Sequence, residues 1–244
     1  MAKAIFQNIY QTLKRDIDNG TYAYQELLPS EAELTRRFDC SHSTIRRALA
    51  ELTADGYVQP LHGKGVRVIH SPMSQTLSHS DTNGLETNLE RAARLGFEPK
   101  TRCMTFEVLT ADANLAHVTG FTEGSELLHV YRVRYFDDRG ISSDESYYLA
   151  SELPGITRAD VEHSVYAYLE NVLGMQIVIS KRVVTVERVN DNDLAYLALD
   201  GADYVSVSRC NAYDNNGIMV EYTESREVPS FFRMHVNALR RKQI

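Results

Sequence analysis

Cysteine is scarce in this chain: Cys40, Cys103 and Cys210 lie far apart, are odd in number and form no C-x-x-C pair. That argues against a disulfide framework or a zinc site and suits a reducing cytosol. The eight histidines are scattered as well, with no metal-ligand spacing. Long apolar runs are missing too, and nothing approaches the roughly 18 consecutive apolar residues of a membrane span. The opening Met1-Ala2-Lys3-Ala4-Ile5-Phe6 has one positive charge but neither an apolar segment nor a small-residue cleavage site. No secretory signal is expected, and a cytoplasmic location is. Catalytic signatures are absent: there is no G-x-S-x-G, H-E-x-x-H, G-x-x-x-x-G-K-[ST] or G-x-G-x-x-G. Neither an enzyme nor a cofactor or metal is expected, and no membrane partner.

Net positive charge is also lacking. The chain carries -7, which by itself speaks against a nucleic-acid partner. The charge is unevenly spread, however. Residues 1–70 hold nine Lys/Arg against eight acids, and residues 36–67 hold six against three. The acidity belongs to the later part of the chain.

What is present begins with helical periodicity. Ile5, Ile9, Leu13 and Ile17 recur every four residues, and Gly20 follows as a stop. After Pro29, Ser30-Glu31-Ala32-Glu33 is a capping box that opens a short helix with Leu34 and Phe38 on one face. Ser41 can cap a third helix with the stripe Ile45, Leu49, Leu52 and the stop Gly56. Tyr57–Leu61 and Val66–Ile69 then read as two short strands joined by the turn His62-Gly63-Lys64-Gly65. Residues 70–83 are polar, serine-rich and without periodicity, which is linker composition. Beyond them, residues 84–95 look helical. Alternating strands follow at 101–109, 126–136, 141–149, 177–189, 203–213 and 218–227. Gly140 and Asn215-Asn216-Gly217 mark hairpin turns, and short helices fall near 164–173 and 191–199. This pattern predicts an α+β domain around a mainly antiparallel sheet.

Two helices joined by Asp39-Cys40-Ser41 have the spacing of a helix-turn-helix, whose second helix enters the major groove by its N-terminal end. Ser41, His42, Ser43, Thr44, Arg46 and Arg47 stand at that end. Arginine suits the paired acceptors of guanine. The hairpin tip adds His62, Lys64 and Arg67 as donors, with Gly63 permitting close backbone approach. An isolated Arg-Arg pair would read as a solvated helix face, but the preceding cap and the following hairpin favour DNA contact.

In the second domain, Arg132 and Arg134 alternate within Val130-Tyr131-Arg132-Val133-Arg134-Tyr135 and so share a sheet face. They suit a phosphate or carboxylate. They equally suit a surface strand with a cross-strand pair such as Arg134–Glu145. Ser164-Val165-Tyr166 reads first as a helix cap, whose amides could cradle an anion.

Taken together, Leu28-Pro29-Ser30-Glu31-x-Glu33-Leu34, Ser41-x-Ser43-Thr44-Ile45-Arg46-x-Ala48-Leu49-x-x-Leu52, Asp55-Gly56-Tyr57 and His62-Gly63-Lys64-Gly65 resemble the winged-helix domain of GntR-family regulators. The resemblance implies operator contacts by Ser41, Ser43, Thr44, Arg46 and the Gly63 tip. This chain has His42 and Ala32 where many members have arginine. The later part resembles the UTRA effector domain of HutC-type members, with a fold similar to chorismate lyase. It does so through the segment 131–135, Glu145-Ser146-Tyr147-Tyr148, Ser164-Val165-Tyr166 and Val220-Glu221-Tyr222-Thr223-Glu224-Ser225. In sugar-phosphate-responsive members the matching positions hold phosphate: Arg132, Arg134, Ser164 and Thr87, where serine is usual. Glu145, Tyr166, Glu221 and Tyr222 would line the sugar end. The resemblance thus implies a regulator, expected to be a repressor, that binds double-stranded operator DNA and a small effector, trehalose 6-phosphate first among candidates. An amino sugar phosphate or a small carboxylate is the alternative effector, and an enzyme of lyase-like fold is the lesser alternative. The expected organisation is a winged helix-turn-helix at 1–70, a linker at 71–83, and an effector-binding and dimerisation domain at 84–244, working as a homodimer.

Overall fold

In the computed structural model the chain divides into two compact units. Residues 2–70, 96 and 100–234 are described, with backbone alone for 2–4. The linker at 71–83, the expected helix at 84–95 and Thr87 lie outside the described residues.

The first unit is three helices and a hairpin: α1 (Ala2–Asp18), α2 (Glu31–Phe38), α3 (His42–Ala54), β1 (Val58–Leu61) and β2 (Gly65–Val68). Its core joins Ile9, Leu13 and Ile17 of α1 to Leu34, Ile45, Leu49 and Leu52, closed by Val58 and Val68. The α1 stripe begins at Phe6, which is buried, and not at Ile5, which is 46% exposed. Phe6 stands three residues before Ile9, the other helical spacing that keeps a side chain on one face. Ser30 and Glu33 form the reciprocal cap of α2, and Ser41 caps α3 by accepting from the Thr44 amide. Asp39, left-handed at φ 47°, makes the turn between these helices.

The second unit is a six-stranded antiparallel sheet ordered β3-β4-β5-β8-β7-β6. Its strands are β3 (Lys100–Thr110), β4 (Glu126–Phe136), β5 (Arg139–Leu149), β6 (Ile177–Arg188), β7 (Tyr204–Asp214) and β8 (Met219–Glu227). Among the described residues four short helices accompany it: α4 (Ala113–Thr119), α5 (Arg158–His163), α6 (Val165–Asn171) and α7 (Asp191–Tyr196). One face packs Leu128, Val130 and Tyr148 against Val161, Val165 and Leu169 of α5 and α6. The other packs Val133, Ile141, Val205 and Val207 near α7, and Leu127 and Tyr222 near α4.

Two expectations need correction. Helices α4 and α5 were not expected, although both carry N-caps, Asp112 and Thr157. Each is too short to show apolar periodicity. Gly140 is not a turn residue either. The β4–β5 turn is Asp137-Asp138, both at positive φ (47° and 60°), the arrangement of a two-residue hairpin turn. Gly140 lies inside β5, where a Cβ would overlap the Tyr196 carbonyl oxygen.

Candidate DNA interface and effector site

At the N-terminal end of α3, His42 and Ser43 are exposed and Thr44 is half-buried. Ser41 is committed to the cap, its hydroxyl lying 2.8 Å from the Ser43 hydroxyl and 2.9 Å from that of Thr44. Arg46, 70% exposed, donates from Nε to Glu31 Oε2 at 2.9 Å. The same oxygen lies 3.8 Å from His42 Nδ1. Arg47 is placed differently. Its guanidinium sits 3.8 Å above the Phe6 ring of α1, so it braces two helices. At the hairpin tip His62, Gly63 and Lys64 are all exposed, with Gly63 at φ 69° and Gly65 at φ 101°. Arg67 is half-buried on β2. Arg46, Arg47, Ser43 and the tip are thus all exposed, Arg47 with one side of its guanidinium on Phe6, whereas Arg67 is half-buried.

In the second unit Arg132 and Arg134 share the face covered by α5 and α6. Arg132 donates to the Val161 carbonyl (3.0 Å) and to the Tyr148 hydroxyl (3.2 Å). Asp144, 5% exposed, pairs with Arg134 and lies 3.6 Å from Arg132 Nη2. It accepts from Ser225 at 2.7 Å. Beside it Glu221 accepts from Tyr166 at 2.9 Å and from Thr223 at 2.6 Å. Ser164 lies in the chain between Val161 and Tyr166, with its hydroxyl accepting from the Ala167 amide. Burial opposes charge on all of the central ions. It pulls Arg134 below its ordinary value. Against burial, the Tyr148 oxygen and Asp144 hold Arg132 above its own, and the two arginines hold Asp144 below the usual carboxylate range. Burial also pushes the Tyr148 and Tyr166 hydroxyls up, so both stay protonated donors.

The structure does not bring Glu145 and Tyr222 to this cluster. Both lie on the opposite face, where Glu145 meets His129 (3.2 Å) and Tyr147 (3.1 Å), and Tyr222 meets Tyr147. The expected Arg134–Glu145 pair is replaced by Arg134–Asp144. The cause is a bulge: Tyr135 pairs with Gly140 but Arg134 with Ser142, leaving Ile141 extra. One inserted residue reverses which side of the sheet each later side chain occupies. Sequence reading therefore missed Asp144, and with it Tyr148, Thr223 and Ser225. Strand alternation around Tyr148, opposite Leu128, was a usable signal had the bulge been known.

A winged helix with an exposed reading helix, joined to a domain that sets two arginines beside tyrosine and carboxylate groups, defines a ligand-responsive DNA-binding regulator. Residues 5–68 match the family described as bacterial regulatory proteins, gntR family, and residues 94–233 match the UTRA domain. The chain belongs to the GntR family, in its UTRA-bearing form. It is 30% identical to the HTH-type transcriptional regulator TreR of Bacillus subtilis, over 93% of this chain and 94% of that one. The HTH-type transcriptional repressor NagR of the same organism is 26% identical, over 91% and 89%. Among solved structures, the possible transcriptional regulator YydK of Bacillus subtilis shares the fold at TM-score 0.76 and 22% identity, covering 96% of this chain and 99% of that one. The effector-binding domain of the B. subtilis trehalose repressor TreR superposes at TM-score 0.53 and 26% identity, covering 59% of this chain and 99% of that domain. The chain is therefore a transcriptional regulator rather than an enzyme, with operator DNA and a small-molecule effector as partners. Among the described residues no helix is long and apolar enough to cross a membrane.

Proposed function

We propose that this protein is a homodimeric repressor of a sugar-utilisation operon, released from its operator by a phosphorylated sugar, trehalose 6-phosphate being the first to test. The observation that carries the reading is the pair of buried Arg132 and half-buried Arg134 on the side of the sheet where Tyr166 meets Glu221. Guanidinium groups suit a phosphate, and a carboxylate beside a tyrosine hydroxyl suits sugar hydroxyls. The likeness to TreR supports the choice of sugar. Ser164 and Thr87 complete the phosphate contacts in this proposal, while Glu145 and Tyr222 leave the set. Residues 1–70 read DNA through Ser43, Thr44, Arg46 and the His62–Lys64 tip, residues 71–83 link, and residues 84–244 bind effector and dimerise. The general geometry of such readers supports a dimer, because two winged helices on a two-fold axis would read two half-sites of a palindrome.

Calorimetry with trehalose 6-phosphate, trehalose and glucosamine 6-phosphate, paired with operator gel shifts, tests the reading. Trehalose 6-phosphate should bind wild type and release DNA, and Arg132→Ala should lose both effects. Equal affinity for trehalose and its phosphate would overturn the phosphate contact. Preference for glucosamine 6-phosphate would move the operon to amino sugars. A monomer by sedimentation on operator DNA would remove the dimer.

A further inference from the structure

The arginine pair is already occupied by an anion of the protein's own. Asp144 is buried, and both of its carboxylate oxygens are engaged: Oδ2 by Arg134 and, at 3.6 Å, Arg132, and Oδ1 by the Ser225 hydroxyl at 2.7 Å. Glu221, 7% exposed, contributes a second negative charge on the same face. Among the described residues, two guanidinium groups thus share this face with two carboxylates. Adding a dianion beside two resident carboxylates in a low-dielectric site is strongly unfavourable. One carboxylate must give way. Glu221 is tied to Tyr166 and Thr223, not to an arginine. Asp144 alone among the described acids contacts both arginines.

We infer that Asp144 is a resident counter-ion which the effector's anionic group displaces from Arg132 and Arg134. The inference rests on the reading of this face as the effector site. The neighbourhood supports an exchange of partners. Arg132 Nε is buried and without a hydrogen-bond partner among the described residues, so the guanidinium retains a donor that Asp144 does not satisfy. A tetrahedral oxyanion, with more acceptor oxygens than a carboxylate, can engage that edge together with Arg134. Asp144 then acts as a selectivity filter. Chloride or a monocarboxylate offers the arginines no more than Asp144 already does, and a phosphate or sulfate group does.

Sulfate is the probe, since it does not titrate near neutrality. Full-length wild type, Asp144→Asn and Glu145→Gln are titrated with sodium sulfate at constant ionic strength, by calorimetry and by thermal shift. Removing the competing charge should tighten sulfate binding about tenfold or more in Asp144→Asn. The variant should melt lower than wild type in chloride and regain more on adding sulfate. Glu145→Gln makes the same charge change one residue along, on the other face, and should stay within about twofold of wild type. Equal or weaker sulfate binding by Asp144→Asn, with wild type binding, overturns the counter-ion role and leaves the anion site standing. No sulfate or sugar phosphate binding by any variant overturns the site and the counter-ion together. Should Asp144→Asn yield too little folded protein, Ser225→Ala removes the hydroxyl that holds Oδ1 and should tighten sulfate binding about two- to threefold. Unchanged affinity in Ser225→Ala then counts against the inference.

Discussion

Asp144 and Glu145 are consecutive on β5 and serve opposite faces of the sheet: Asp144 pairs with Arg132 and Arg134, and Glu145 hydrogen-bonds His129 at 3.2 Å. The two carboxylates therefore have separate consequences. One belongs to the candidate effector site. The other holds a histidine that titrates near neutral pH.

His129 stacks on Tyr147 at 4.7 Å and lies between Glu107 (3.3 Å) and Glu145 (3.2 Å). A neutral imidazole can donate to one carboxylate, so satisfying both requires the imidazolium. The hydrogen bond to Glu145, then that to Glu107, raises its pKa above the ordinary 6.5, against the opposing pull of burial. The folded form thus binds the proton more tightly than the unfolded chain. This stabilisation is complete below about pH 6.5 and fades as pH rises through the raised folded value. Melting temperature should fall as pH rises above about 6.5, and His129→Gln should flatten that slope. An unchanged slope in the variant would refute the assignment.

Gly140→Ala should destabilise the second unit by about 1–3 kcal/mol, because the new methyl group meets the Tyr196 carbonyl and must push α7 aside. Denaturant titration followed by circular dichroism is the check. A loss within 0.5 kcal/mol, the range of an ordinary surface change, would show that α7 is loosely held.

Asp193 is fully buried and takes three hydrogen bonds from Arg226, at 2.8 to 3.0 Å. Removing Asp193 takes from Arg226 its one fully buried partner and leaves it Glu224 (3.2 Å) and Glu187 (3.5 Å). Asp193→Ala should cost about 1–3 kcal/mol. Replacing both residues with apolar ones should recover much of that loss, and a double variant as unstable as the worse single one would contradict this account.

Arg46→Ala should weaken operator binding by about 1–3 kcal/mol and relax preference at one base position. Lys64→Ala at the hairpin tip should instead weaken operator and random DNA alike and lower the salt slope by about one. Binding to both DNAs across a salt series separates the two. Equal loss on both for Arg46→Ala would make Arg46 a phosphate contact.

Much of this protein is written locally. The reciprocal cap Ser30–Glu33, the Ser41 cap and the stripe Ile45, Leu49, Leu52 depend on neighbours within one or two helical turns, so they can be read directly. The same is true of the Asn215-Asn216-Gly217 turn, where Gly217 sits at φ 80°. The alternation of Arg132 and Arg134 is likewise a property of one strand. What lies opposite them is not. Gly140 gives its carbonyl to the Ala198 amide and Ile141 gives its own to Val228, partners more than fifty residues away. Those long-range bonds accompany the bulge at Ile141, and the bulge selects Asp144 over Glu145 as the arginines' partner. In the same way Arg47 was legible as a cation, but its contact with the Phe6 ring of α1 was not. Local sequence determined which residues carry charge and which elements they ride on; tertiary hydrogen bonds and packing decided which way those charges point, because a shift of one residue exchanges the two faces of a sheet.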